Sequence, residues 1–215
     1  MNIKQTYLDY VLGSHSVVGD ERRKYEDRVY VGLVERAGGD NVLLGIVADG
    51  VGSADCGARG AQLAIDEVRR VIASSDERDI ASLIDAAIKI ANEAVYDDNE
   101  TNDGDGLTTL VVCVIYEGRC YVGNVGDSRA YWVPKGGAPV QLTQDHTYYQ
   151  IYGGDPNDEN AGILVNAIGK KNTVEVDLGF YLPEIAGADQ AFRLGRQGLP
   201  LQPGDGIMLC SDGLI

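Results

Sequence analysis

No run of apolar residues in this 215-residue chain approaches the ~18 that a membrane-spanning helix needs, so no span is expected. The first 18 residues lack a charged segment followed by an apolar stretch, so no signal peptide is read there. Cysteine is scarce: Cys56, Cys113, Cys120 and Cys210 show no CxxC spacing, and three of them sit in apolar, strand-like runs. They read as buried free thiols, which fits a reducing cytoplasm. Basic residues are few, 18 Lys and Arg against 33 Asp and Glu, for a net charge of -15. That field repels nucleic acid and anionic membrane, so neither is expected as a partner. There is no internal repeat, low-complexity segment or linker, so residues 1–215 read as one domain, and a hydrophobic content of 44% suffices for its core.

What the chain does have is acid at the ends of its apolar runs. Asp49-Gly50 follows the run 42–48, Asp212-Gly213 follows 207–211, Asp127 ends 120–126, and Glu26-Asp27 stands just before 29–34. A single Asp-Gly is an ordinary turn dipeptide. Four acids at strand ends are another matter, because a carboxylate beside a core is costly unless neutralised. Converging carboxylates also raise one another's pKa unless a cation sits between them. Oxygen donors without His or Cys nearby favour hard ions, Mg²⁺ or Mn²⁺, over zinc or copper.

Periodicity supplies the frame. Runs 29–34 and 42–48 read as strands joined by a polar turn. Ala61, Ala64, Ile65, Val68, Val71 and Ile72 form the stripe of one helix, and Ile80, Leu83, Ile84, Ala87, Ile88, Ala91 and Val95 that of a second. Two successive helices imply an antiparallel pair laid on a sheet. Residues 97–105 read as a loop. Runs 107–116, 119–125 and 129–133 read as an antiparallel meander with turns at Glu117-Gly118 and Gly126-Asp127. In that register Cys113 faces Val122 and Cys120 faces Ile115. Residues 144–171 read as a surface excursion, and 174–181 and 206–211 as further strands. Antiparallel strands with an inserted helix pair make the class α+β.

Six motifs recur in a fixed order: Glu26-Asp27 after Gly19-Asp20-Glu21-Arg22, Gly45-Ile46-Val47-Ala48-Asp49-Gly50, Gly106-Leu107-Thr108-Thr109-Leu110, Gly126-Asp127-Ser128-Arg129, Leu142-Thr143-Gln144-Asp145-His146 and Leu209-Cys210-Ser211-Asp212-Gly213. Together they resemble the metal-dependent serine/threonine protein phosphatases of the protein phosphatase 2C (PPM) family, from about Gly13 to Ile215. The resemblance implies a four-layer αββα sandwich, two antiparallel sheets flanked by antiparallel helix pairs, with metals at one end. It implies hydrolysis of phosphoserine and phosphothreonine in proteins by a metal-activated bridging water, opposing a serine/threonine kinase in the cytoplasm. The cofactors would be two Mn²⁺ or Mg²⁺ ions and a weaker third. Asp49 would bridge them, the Gly50 carbonyl and Glu26 would bind one ion, and Asp27 would hydrogen-bond metal waters. Asp212 would hold the other ion and form the weaker site with Asp127. Arg22, four residues before Glu26, would bind phosphate through its guanidinium fork.

The resemblance casts Thr108, Thr109, Ser128 and Arg129 as braces, and His146 as a structural residue opening a flap over 147–166. Val51, apolar where some members carry histidine, points to the bacterial branch. The family's closing Asp-Asn motif is absent, so the domain is expected to lack its C-terminal end. That leaves a second reading, a catalytically impaired or inactive domain that acts as a phosphoprotein-binding or regulatory module. A dinucleotide-binding domain fails, because Asp55 stands at the third glycine position and helix follows helix.

Overall fold

The computed structural model describes residues 3–7, 10–17, 25–53, 55–185 and 187–214, with side chains from residue 10 onward. A hairpin of β1 (Ile3–Tyr7) and β2 (Tyr10–Ser14) precedes a second hairpin of β3 (Arg28–Glu35) and β4 (Asn41–Ala48). The short β5 (Gly50–Val51) leads to α1 (Cys56–Ser74) and α2 (Ile80–Asn102). Next come β6 (Leu107–Thr108), β7 (Leu110–Tyr116), β8 (Arg119–Val125), β9 (Arg129–Val133) and β10 (Val140–Gln141). The chain continues through α3 (Tyr148–Tyr152), α4 (Ala188–Gln197), β11 (Leu199–Pro200), β12 (Gly206–Cys210) and a 3₁₀ turn, Asp212–Leu214.

Two antiparallel sheets form the body, a five-stranded one in the order β11-β8-β7-β4-β3 and a three-stranded one in the order β10-β9-β12. The α+β sandwich is therefore as the motifs imply. Central strands of the larger sheet are apolar on both faces because both are covered. Val42, Leu44, Ile46 and Ala48 of β4 face the helices, and Val47 faces the smaller sheet. On β7, Leu110, Val112 and Val114 turn to the helices while Val111 and Cys113 turn away. Every residue of the two expected helix stripes is buried. At roughly 1.5–3 kcal/mol per buried aliphatic side chain, these two cores dominate stability. Gly123 lets α2 approach β8: a Cβ there would lie 2.4 Å from Ile84 Cγ2.

Among the described residues, α1 and α2 are the antiparallel pair on the larger sheet. α4 is joined to α2 by the Arg196–Asp79 ion pair, and α3 is a five-residue helix inside the 147–166 excursion.

Several boundaries differ from the sequence reading. α2 runs to Asn102, through residues read as loop. Their polarity belongs to a helix that stays paired across its surface, Asp98 with Arg59 of α1 and Asn99 with the backbone of Gly106. Asp103, at φ 51°, ends it in the left-handed conformation, with its N–H on the Asn99 carbonyl. The run 107–116 breaks at Thr109 into β6 and β7, and 174–181 forms an isolated bridge from Asp177 to Asn124 instead of a strand. The Glu117-Gly118 turn takes positive φ at both residues, 49° and 73°, as a tight hairpin requires. Cys113 pairs with Val122 and Cys120 with Ile115; the two free thiols touch diagonally at 3.5 Å.

Candidate functional site

Strand register brings the acids together. Arg28 of β3 lies opposite Ala48 of β4, so the next residues outward, Asp27 and Asp49, leave the larger sheet side by side. Cys210 of β12 lies opposite Arg129 of β9, which sets Ser211 across from Ser128 and Asp212 across from Asp127. Gly45 of β4 packs beneath Leu209 of β12, with Leu209 Cδ1 3.3 Å from where a Cβ would stand. The two acid pairs therefore meet at one end of the sandwich.

The electrostatics follow from that meeting. Asp49 is 5% exposed. Burial first, then the charges of Asp27 and Asp212, push its pKa from 3.8 to about 8, and both neighbours hydrogen-bond it. Asp127 is raised by burial and then by Asp212. Asp212 thus links the pairs, and it is solvent-exposed at the start of the 3₁₀ turn. Ser211 Oγ donates to Asp27 Oδ2 at 2.9 Å, tying the end of β12 to the start of β3.

Behind the carboxylates the backbone is braced. The Asp49 N–H donates to Thr109 Oγ1 at 3.0 Å, and the Asp49 carbonyl accepts from Thr109 N–H at 2.9 Å and Thr108 Oγ1 at 3.0 Å. Thr109 Oγ1 lies 2.7 Å from Ser128 Oγ. Arg129 is held by Asp145 through bonds of 2.7, 2.9 and 3.1 Å, which keeps its guanidinium pKa above the ordinary arginine value. His146 Nδ1 accepts from Gly126 N–H at 3.2 Å and lies 3.0 Å from Asn166 Nδ2. It anchors both ends of the 147–166 segment, as a structural histidine does.

Glu26 reaches the site through its backbone. Gly50 leaves no room for a side chain, since a Cβ would lie 2.4 Å from the Gly57 carbonyl oxygen and 2.9 Å from that of Glu26. Glu26, Asp27, Asp49 and Asp212 line the polar end of an 830 Å³ cleft between the sheets, whose apolar part includes Val31 and Leu209. Arg22 lies outside the described residues. Ser211 was not singled out by the sequence reading, and its one signal was adjacency to Asp212.

The donor set suits a hard divalent ion: Asp27, Asp49, Asp127 and Asp212 offer carboxylate oxygen only, with neither thiolate nor imidazole among them. Among the described residues, no three His, Cys, Asp or Glu side chains already surround a common point in chelating geometry. Carboxyl groups hydrogen-bonded to one another point their oxygens at each other, whereas chelation points them at an ion. A cation would therefore replace those contacts by rotation of the Asp49 and Asp212 carboxyl groups while Ser211 holds Asp27, relieving the repulsion that raises Asp49.

Comparison with known proteins bears on this arrangement. The family profile described as Protein phosphatase 2C matches residues 26–215. The serine/threonine phosphatase stp of Listeria monocytogenes serotype 4b (strain F2365) is 28% identical over 189 residues, covering 81% of this chain and 68% of that protein. The crystal structure of the Mycobacterium tuberculosis serine/threonine phosphatase PstP/Ppp superposes with a TM-score of 0.69 at 25% identity, over 93% of this chain and 77% of that one. The catalytic domain of the phosphatase PstP in complex with 2 manganese ions gives a TM-score of 0.61 at 27% identity, over 75% of this chain and 68% of that one.

Proposed function

The chain belongs to the protein phosphatase 2C family, and from that premise we propose that it hydrolyses phosphoserine and phosphothreonine in proteins, dependent on Mn²⁺ or Mg²⁺. The observation that carries the reading is the convergence of Asp27, Asp49 and Asp212 at the meeting ends of two sheets, with Asp49 driven to a pKa of about 8. A pair of divalent ions supplies the charge that neutralises such a cluster, polarises phosphoryl oxygens and makes water a nucleophile at neutral pH.

The chain's residues divide the remaining work. Asp49, its backbone fixed by three hydrogen bonds, would hold the ions together with Asp212, Glu26 and the Gly50 carbonyl. Asp27 would accept hydrogen bonds from the water that accompanies the ions. Asp127, beside Asp212, completes a weaker third position. Arg22 orients the phosphoryl group through a bidentate contact. The mouth of the site is open to solvent at Asp212, which admits a side chain carried on a protein. The substrates are then phosphoproteins, with a serine/threonine kinase as the opposing activity and the cytoplasm as the compartment.

The test is hydrolysis of p-nitrophenyl phosphate and of matched phosphoserine, phosphothreonine and phosphotyrosine peptides, with Mn²⁺, with Mg²⁺ and with chelator. Metal-dependent turnover of the phosphoserine and phosphothreonine peptides is expected. Capture of phosphopeptides without turnover under any metal would establish the binding-module reading in its place.

A further inference from the structure

Ser211, at the end of β12, touches a site carboxylate from the start of β3. Its hydroxyl donates to Asp27 Oδ2 at 2.9 Å, across 184 residues of sequence. Asp27 is at the same time hydrogen-bonded to Asp49. We propose that Ser211 is a positioning residue for metal binding, holding the Asp27 carboxylate in the plane that faces Asp49. This rests on the metal-dependent reading above.

Three features argue for the role. Ser211 lies immediately past the last ladder pair of β12, so the backbone that places Asp212 also places the hydroxyl. Asp27 lies immediately before β3, where no ladder pair restrains it, and a carboxylate free to turn would meet an ion or its water at an entropic cost. Finally, a hydroxyl fixes the carboxylate without neutralising it. A lysine or arginine in the same place would hold Asp27 as firmly but compete with the cation for its charge. Partners of this kind, one shell out from a metal, typically account for about 10- to 100-fold in affinity.

The experiment is Mn²⁺ titration by calorimetry on the whole chain, after thermal unfolding in chelator has established that each variant is folded. Ser211→Ala should raise the Kd for Mn²⁺ by about tenfold or more, and Ser211→Thr, which keeps the hydroxyl, should recover most of it. Ser211→Val has threonine's shape without the hydroxyl and serves as a second loss variant. In an Asp27→Ala background, Ser211→Ala should cost nothing further, because the effect runs through Asp27. An unchanged Kd in Ser211→Ala and Ser211→Val, with wild type binding Mn²⁺, overturns the role and leaves the metal reading intact. Equal losses with and without Asp27 also overturn it. A wild-type chain that takes up no Mn²⁺ overturns the metal reading and this role with it.

Discussion

Asp49 is the residue at which cost and function meet. It is buried, and without a cation its pKa rises from 3.8 to about 8, first from burial and then from Asp27 and Asp212. A raised acid pKa means that the folded chain keeps a proton the unfolded chain has already released. Stability of the metal-free protein from this group is therefore fully present below about pH 4 and is lost as pH climbs towards 8. Asp127, raised for the same leading reason, acts in the same direction. The thermal midpoint in chelator should fall between pH 5 and pH 8, and Asp49→Asn should flatten that fall and unfold at higher temperature near pH 8. The same variant should lose phosphatase activity by more than about a hundredfold, since even outer partners of metal sites cost 10- to 100-fold. Wild-type turnover in saturating Mn²⁺, or an unchanged pH slope in chelator, would contradict the assignment.

At the scale of elements, stability depends on how closely the helix layer sits on the larger sheet. α2 packs over β8 at Gly123, where a Cβ would come within 2.4 Å of Ile84 Cγ2 and 2.9 Å of Ile88 Cδ1. Ile84 Cγ2 is carried on a β-branched carbon whose χ1 is restricted in a helix, so Gly123→Ala should destabilise by about 1–3 kcal/mol, the usual range for overpacking. Because Gly123 lies inside the sheet, away from the acids at its end, kcat at saturating metal and below the melting range should stay near wild type. Chemical denaturation and steady-state kinetics on one preparation separate the two effects. A fall in kcat with unchanged stability would mean that the helix layer bears on the site directly.

The whole molecule carries a net charge of -15, and the acids around the site add to a negative field over the cleft. Charged substrates feel such a field before they feel any contact. Phosphopeptides with lysine or arginine flanking the phosphorylated residue should show lower KM than acidic peptides of the same length. The gap should narrow as salt rises from about 0.05 to 0.5 M, where the screening length shortens to a few Å. A preference that persists at high salt would have to come from direct contacts instead.

Much of this was legible in the order of residues. Apolar stripes at helical spacing named the buried faces of α1 and α2 residue by residue, because burial of one helix face is a local property of periodicity. The strands β4 and β8 were equally plain, as were Asp49 and Asp127 just beyond them. What misled was polarity: residues 97–102 read as loop, yet they are the last turns of α2, since a solvated helix face and a loop share a composition. Proximity could not be read at all. That Asp27 stands beside Asp49, and Asp212 beside Asp127, depends on Arg28 pairing with Ala48 and Cys210 with Arg129, and a register one residue different would turn each acid to the opposite face. The chain alone determined which residues carry charge at strand ends and what ion such oxygens prefer. Only the tertiary structure decided that two sheets end at the same place, so that their acids share one field and a serine from the last strand steadies an aspartate before the third.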